Sequence, residues 1–211
     1  MRKLIIVGTG GHALVVAELA YSAGYEVLAF ADQGNAKQEF CSLPVIGIES
    51  ALERYSKCAF TIAIGENFTR EKVSKQIAPE RFPVLCHKNS VVASSANLDA
   101  GTVVMAGAHI GPKAQLGRGC LVNTSAIVEH ECHLESYASL APRAVMGGNS
   151  RLGARSALSL GAAVKHGVRV GSDTVIGLNA GVLSDIPSHV VAYGTPARVV
   201  RQREWNTPYL A

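Results

Sequence analysis

An α/β Rossmann-like unit followed by an all-β parallel β-helix is the fold class this sequence predicts, and two patterns carry the prediction. The first is a strict six-residue period between Val92 and Val182. Every sixth side chain there is a large aliphatic, sixteen in register without an insertion, among them Val104, Ile110, Leu116, Val128, Leu140, Met146, Leu158 and Ile176. Four residues after most of them stands a small one, such as Ala108, Ala114, Cys120, Ala126, Cys132, Ser150 or Ala162. A helix repeats near 3.6 residues and a half-buried strand near 2, so neither accounts for a period of six. A hexapeptide period belongs to a parallel β-helix, in which each hexad is a short strand and a turn. Three hexads close one triangular coil, with successive coils about 4.8 Å apart. The aliphatics fill the prism, and the small residues are expected at the bends.

The second pattern is a strand, glycine turn, helix and strand at the start of the chain. Lys3 to Val7 reads as a buried strand, and Gly8-Thr9-Gly10-Gly11-His12 follows at once. Ala13 to Gly24 has helical spacing, with Gly24 placed as a C-terminal cap. Glu26 to Ala31 is a second strand, ending at Asp32. Such glycines let a backbone approach a phosphate at a helix N-terminus. Gly8 and Gly10 fit the dinucleotide fingerprint, but Ala13 takes the third glycine position. With one βαβ unit visible, the turn reads as a nucleotide-phosphate site or as a plain tight turn. Leu43 to Gly47 is a short edge piece, Ile48 to Tyr55 a helix, Phe60 to Ile64 a third strand and Thr69 to Ile77 a helix. The third strand ends in Gly65-Glu66-Asn67, and the carboxyl edge of a parallel sheet is where ligands bind. Residues 1–85 therefore form the Rossmann-like domain, and residues 86–211 the β-helix with a polar tail after Pro187.

Composition narrows the function. The formal charge of +4 comes without a basic block or interleaved aromatics, so nucleic acid is not an expected partner. Five cysteines show neither a CxxC pattern nor framework spacing, and Cys120 and Cys132 fall in small-residue slots as reduced thiols. The N-terminus enters a strand directly and no apolar run nears membrane-spanning length, so a cytoplasmic protein is expected.

Residues eighteen apart stack on one face of the prism, and one such column reads Pro112, His130, Gly148, His166. His130 points outward, two residues past the core Val128, and Gly148 above it carries no side chain. A general base beside an exposed amide donor is what acyl transfer needs: one removes a proton, the other holds the oxyanion. Glu129 and Glu131 flank the imidazole and either could orient it. Outward polar positions are also ordinary solvated surface, and spacing alone leaves both readings open. His130 and His166 lack a third ligand for zinc, since Val170 and Gly171 stand where one would be needed, so no metal is expected.

The segment Val122 to Cys132 (VNTSAIVEHEC) resembles the signature of the hexapeptide-repeat sugar acetyltransferases. That group includes the bacillosamine-pathway N-acetyltransferases and the sialic acid O-acetyltransferases. The likeness extends to the glycine turn with its histidine, to Ile64-Gly65-Glu66-Asn67, to Gly147-Gly148-Asn149 and to Gly194-Thr195-Pro196-Ala197. The resemblance implies a left-handed coil, His130 as general base and Glu131 as its support. It further implies the Gly148 amide at the thioester of acetyl-CoA, with pantetheine near Leu160 and Leu178. Gly10, Gly11, His12, Asp32, Gly65 and Asn67 would contact the UDP of a nucleotide-linked 4-amino-4,6-dideoxyhexose. It also implies a homotrimer with active sites between subunits. Several members carry a second histidine near the sugar amine, where this chain has Ser139. The function expected is acetyl-CoA-dependent N-acetylation of that amino sugar in bacterial glycan biosynthesis. O-acetylation of free sialic acid and a non-catalytic nucleotide-sugar-binding protein are the alternatives.

Overall fold

The computed structural model describes residues 2–33 and 38–210. The N-terminal sheet contains β1 (Arg2–Val7), β2 (Tyr25–Asp32), β3 (Glu39–Phe40), β4 (Leu43–Gly47) and β5 (Ala59–Ile62), in the order β3-β4-β2-β1-β5. β4, β2, β1 and β5 are parallel, and β3 turns back on β4 as an antiparallel edge. Alternation along β1 explains the layers. Leu4 and Ile6 face α1 (Gly11–Ser22), while Ile5 and Val7 face the core shared with α2 (Ile48–Arg54) and α3 (Asn67–Ser74). Both faces of a parallel sheet are covered in this way. α1 starts two residues before the expected Ala13, because the extended Gly10 already serves as its N-cap. Gly24, at φ +79°, ends its last turn.

The prism has three faces of parallel two-residue strands, repeating every eighteen residues. From Val104 to Val182 the inner aliphatics form one buried cluster, while Val92 and Leu98 at the open end are only partly covered. The pairing starts one hexad before Val92: Leu85–Cys86 already pairs in parallel with Val103–Val104, with Cys86 in the inner position. The bends also differ from expectation. The chain turns at the third residue after each aliphatic, where φ is positive from Gly101 to Asn179, and not at the small fourth residue. Ala108, Ala114, Cys120 and Ala126 are instead fully buried and fill the corners from inside. Lys113, Glu131, Tyr137, Arg143 and Arg155 all accept the left-handed conformation, at about 1–2 kcal/mol each. Stacking of every coil on its neighbours repays that cost.

The period is also not followed by a purely polar tail. Val190–Gly194 extends one face in parallel, and Ala197–Gln202 returns antiparallel to it. The α/β unit sits against the first coils, with Leu85, Val103, Met105 and Leu121 in one core with α1. Burying an aliphatic of that size stabilises by roughly 1.5–3 kcal/mol. No helix among the described residues is long and apolar enough to cross a membrane.

Candidate active site

Two separate sets of residues are candidates for the chemistry. The first lies at the corner after the strand Ile127–Val128. Glu131 is the left-handed residue of that turn, and its N–H is held by Pro112 O at 2.9 Å. The turn brings its carboxylate back to the neighbouring ring: Glu131 Oε2 lies 3.1 Å from His130 Nδ1. Both side chains remain open to solvent, at 58% and 53% exposure. With Nδ1 donating to the carboxylate, Nε2 keeps a free lone pair for a proton. The imidazole lies directly on Gly148, where a Cβ would stand 2.5 Å from Nε2. The glycine is therefore the seat of the ring rather than a gap above it. The Gly148 N–H donates to no acceptor among the described residues, although the adjacent Asn149 N–H reaches His130 O at 2.8 Å.

The second set lines a cleft of ≈ 410 Å³ between the α/β unit and the prism, with His12, Gly65, Ser139, Leu160, Leu178 and Tyr209 in its walls. Gly10 and Gly11 face open space at the start of α1, so a ligand phosphate can approach the helix N-terminus closely. Gly8, by contrast, is packed against Ala63 O and holds the turn at φ +115°. β1 and β5 are adjacent and parallel, which places the Gly8–Gly11 turn and Gly65 on one sheet edge. Leu160 and Leu178 are 52% and 64% exposed, a strip of apolar surface suited to a pantetheine arm.

His12 is held neutral. Burial, reinforced by the nearby Arg70 guanidinium, lowers its pKa from 6.5 to about 4. Between those values the unfolded chain binds a proton that the folded one does not. Stability is therefore complete above pH 6.5 and falls as pH drops toward 4. The loss approaches about 3 kcal/mol, because each tenfold change in proton affinity is worth about 1.4 kcal/mol. Replacing His12 with glutamine should flatten this part of the urea-midpoint profile between pH 6.5 and 4; an unchanged slope would show that other groups set it.

Two expected ligand contacts have other neighbours. Asp32 borders a different recess, of ≈ 290 Å³, with Gly47, Glu49 and Ser50, and accepts a hydrogen bond from the Thr9 hydroxyl. Asn67 is withdrawn from the cleft. It is 1% exposed, its amide donates to Arg155 O and Ser156 O, and its carbonyl accepts from Arg70. Arg70 was not foreseen from the sequence. It stands three residues before Val73, on the buried face of its helix, and that was the available sign. Cys120 and Cys132 are poor nucleophiles, because burial raises both thiols, Cys120 to about 12. The two sets lie on different corners of the prism: Leu160 and Leu178 follow one face, His130 and Gly148 the next.

A seated, carboxylate-oriented imidazole on a hexapeptide prism is the equipment of an acyltransferase. Residues 3–77 match the family described as the PglD N-terminal domain. The chain is 33% identical to PerB from Caulobacter crescentus, whose crystal structure is in complex with CoA and GDP-perosamine; the match covers 95% of this chain and 98% of that one, at a TM-score of 0.88. It is 34% identical to the acetyltransferase domain of PglB from Neisseria gonorrhoeae FA1090, solved with acetyl coenzyme A, covering 94% and 99% at a TM-score of 0.88. GDP-perosamine N-acetyltransferase of Escherichia coli O157:H7 is 26% identical over 183 residues, 83% of each chain. The protein belongs to this family of hexapeptide-repeat sugar acetyltransferases, and it is an acetyl-CoA-dependent enzyme.

Proposed function

We propose that the protein transfers the acetyl group of acetyl-CoA to the 4-amino group of a 4-amino-4,6-dideoxyhexose linked to a nucleoside diphosphate. The observation that carries this reading is the His130 imidazole, oriented by Glu131 and seated on Gly148, whose N–H donates to no acceptor among the described residues. The neutral amine attacks the thioester carbonyl and a C–N bond forms. The amine proton passes to His130 Nε2, and the Gly148 N–H stabilises the oxyanion. The C–S bond then breaks, and the departing CoA sulfur takes the proton from the imidazolium. The buried, protonated Cys132 leaves direct transfer as the reading, without an acyl-enzyme.

The acceptor nucleotide lies along Gly10, Gly11, His12 and Gly65, with Asp32 at the far side of the glycine turn. The resemblance pointed to uridine. Relatives named for GDP-perosamine, matched over most of their length, favour guanosine. Because His130 and the cleft occupy different corners, each site is completed by a second copy, in a trimer with its active sites at the junctions. Bacterial glycan biosynthesis in the cytoplasm is the setting that fits.

The test is thiol release from acetyl-CoA with UDP- or GDP-linked 4-amino sugar, with free sialic acid as the competing acceptor. Turnover with a nucleotide-linked amine supports the proposal. Turnover with sialic acid alone would replace it with O-acetylation, and no release with any acceptor would favour a binding protein. Light scattering should give three times the 22.1 kDa chain mass.

A further inference from the structure

The last residues of the chain cross back to the N-terminal unit and enter the cleft. Trp205 packs edge-on against Phe68 of α3, with centroids 4.5 Å apart. The Glu66 carboxylate then takes two backbone amides on one oxygen, Tyr209 N at 2.8 Å and Leu210 N at 2.6 Å. The Tyr209 hydroxyl donates to Gly65 O at 3.3 Å and lies 3.3 Å from Ser139 Oγ, joining the α/β unit, the tail and the prism at one point. The Leu210 side chain covers Gly65, where a Cβ would come within 2.7 Å of its Cδ1. Leu210 is nevertheless 62% exposed, and both it and Tyr209 line the cleft together with His12.

We propose that Tyr209 and Leu210 form a wall of the acceptor-sugar subsite and determine which sugar the enzyme accepts. The inference rests on the function proposed above and deepens it. A 6-deoxyhexose presents one methyl group and several polar substituents, and this wall offers both kinds of partner. Leu210 gives an apolar surface for the C6 methyl, and the fixed Tyr209 phenol keeps acceptor capacity for a sugar hydroxyl or amine. A 6-hydroxy sugar would lose that apolar contact and lay its hydroxyl on a surface with no hydrogen-bonding group of its own. The carboxylate of Glu66 locks the segment, so the wall is preorganised before the sugar arrives. A single methyl against an apolar wall is worth about 10–200-fold in discrimination.

The experiment compares wild type with Leu210→Ala, Tyr209→Phe and Glu66→Gln on matched 6-deoxy and 6-hydroxy nucleotide-linked 4-amino sugars. Leu210→Ala should raise the acceptor KM for the 6-deoxy sugar by about 10-fold and erode its preference over the 6-hydroxy one. Tyr209→Phe should raise both acceptor KM values while keeping the preference, and Glu66→Gln should give a milder form of both changes. The KM for acetyl-CoA should move less than the acceptor KM in every variant. The exposed Leu210 can be cut back without threatening the fold, so its result stands even if Tyr209→Phe is unstable. Acceptor KM and preference unchanged in Leu210→Ala would overturn the inference alone, as would an effect confined to acetyl-CoA. A wild type that acetylates no nucleotide-linked amine would overturn the functional reading as well.

Discussion

Replacing His130 with alanine should lower kcat by about 10²–10⁴-fold, the range for loss of a general base. The acceptor KM should change far less, because the cleft that holds His12 and Gly65 does not include the imidazole. Gly148→Ala is the sharper companion. Gly148 does not have a left-handed φ, so alanine brings no backbone strain, yet its methyl would stand 2.5 Å from His130 Nε2. The ring is exposed and can swing away, so thermal stability should hold while activity falls by about 10²-fold, the cost of a misplaced catalytic group. In the double variant the losses should not add, since both act through one imidazole. Near-normal turnover in His130→Ala would remove the general base from the mechanism; unchanged kcat in Gly148→Ala would show that the seat does not matter.

Arg70→Leu should destabilise the protein by roughly 1–3 kcal/mol for each buried acceptor it leaves without a donor. Arg70 is 4% exposed and donates to Gly119 O, Ile64 O, Gly65 O, Tyr137 O and Asn67 Oδ1, so it binds the α/β unit to the prism. Removing it strands carbonyls on both sides of the seam at once. Burial lowers its pKa, nearby Tyr209, Cys120, Tyr137 and Glu66 oppose that shift, and the N–H groups of the cation are taken up by carbonyl oxygens. Urea unfolding is the measurement. A loss under about 1 kcal/mol would mean that the apolar contacts of Leu85, Val103 and Leu121 suffice. Because Gly65 O is one of the acceptors, a weakened seam should also raise the acceptor KM.

How far the site could be read from the sequence depended on how local each constraint was. The prism was legible because each hexad must meet the same demand, an aliphatic facing in, and sixteen repetitions leave no other register. The same period placed His130 over Pro112 and under Gly148 without any coordinates. The bends were less legible, since residues as different as Lys113, Glu131, Tyr137 and Arg155 take the left-handed conformation. Backbone stacking dictates that geometry, and side-chain type hardly marks it.

The sequence by itself determined the two-part architecture, the glycine turns on one sheet edge and the imidazole beneath a bare rung, because all of these follow from short-range patterns. Only the tertiary structure decided which polar side chains remain available for chemistry. Asn67 follows a glycine turn as a ligand contact would, yet it is consumed by Arg70 and two prism carbonyls some 88 residues away. Tyr209 carries no motif, yet it reaches Gly65 across 144 residues. Hydrogen-bonding capacity is finite, and which groups have already spent it is settled by contacts between distant segments that no local pattern records.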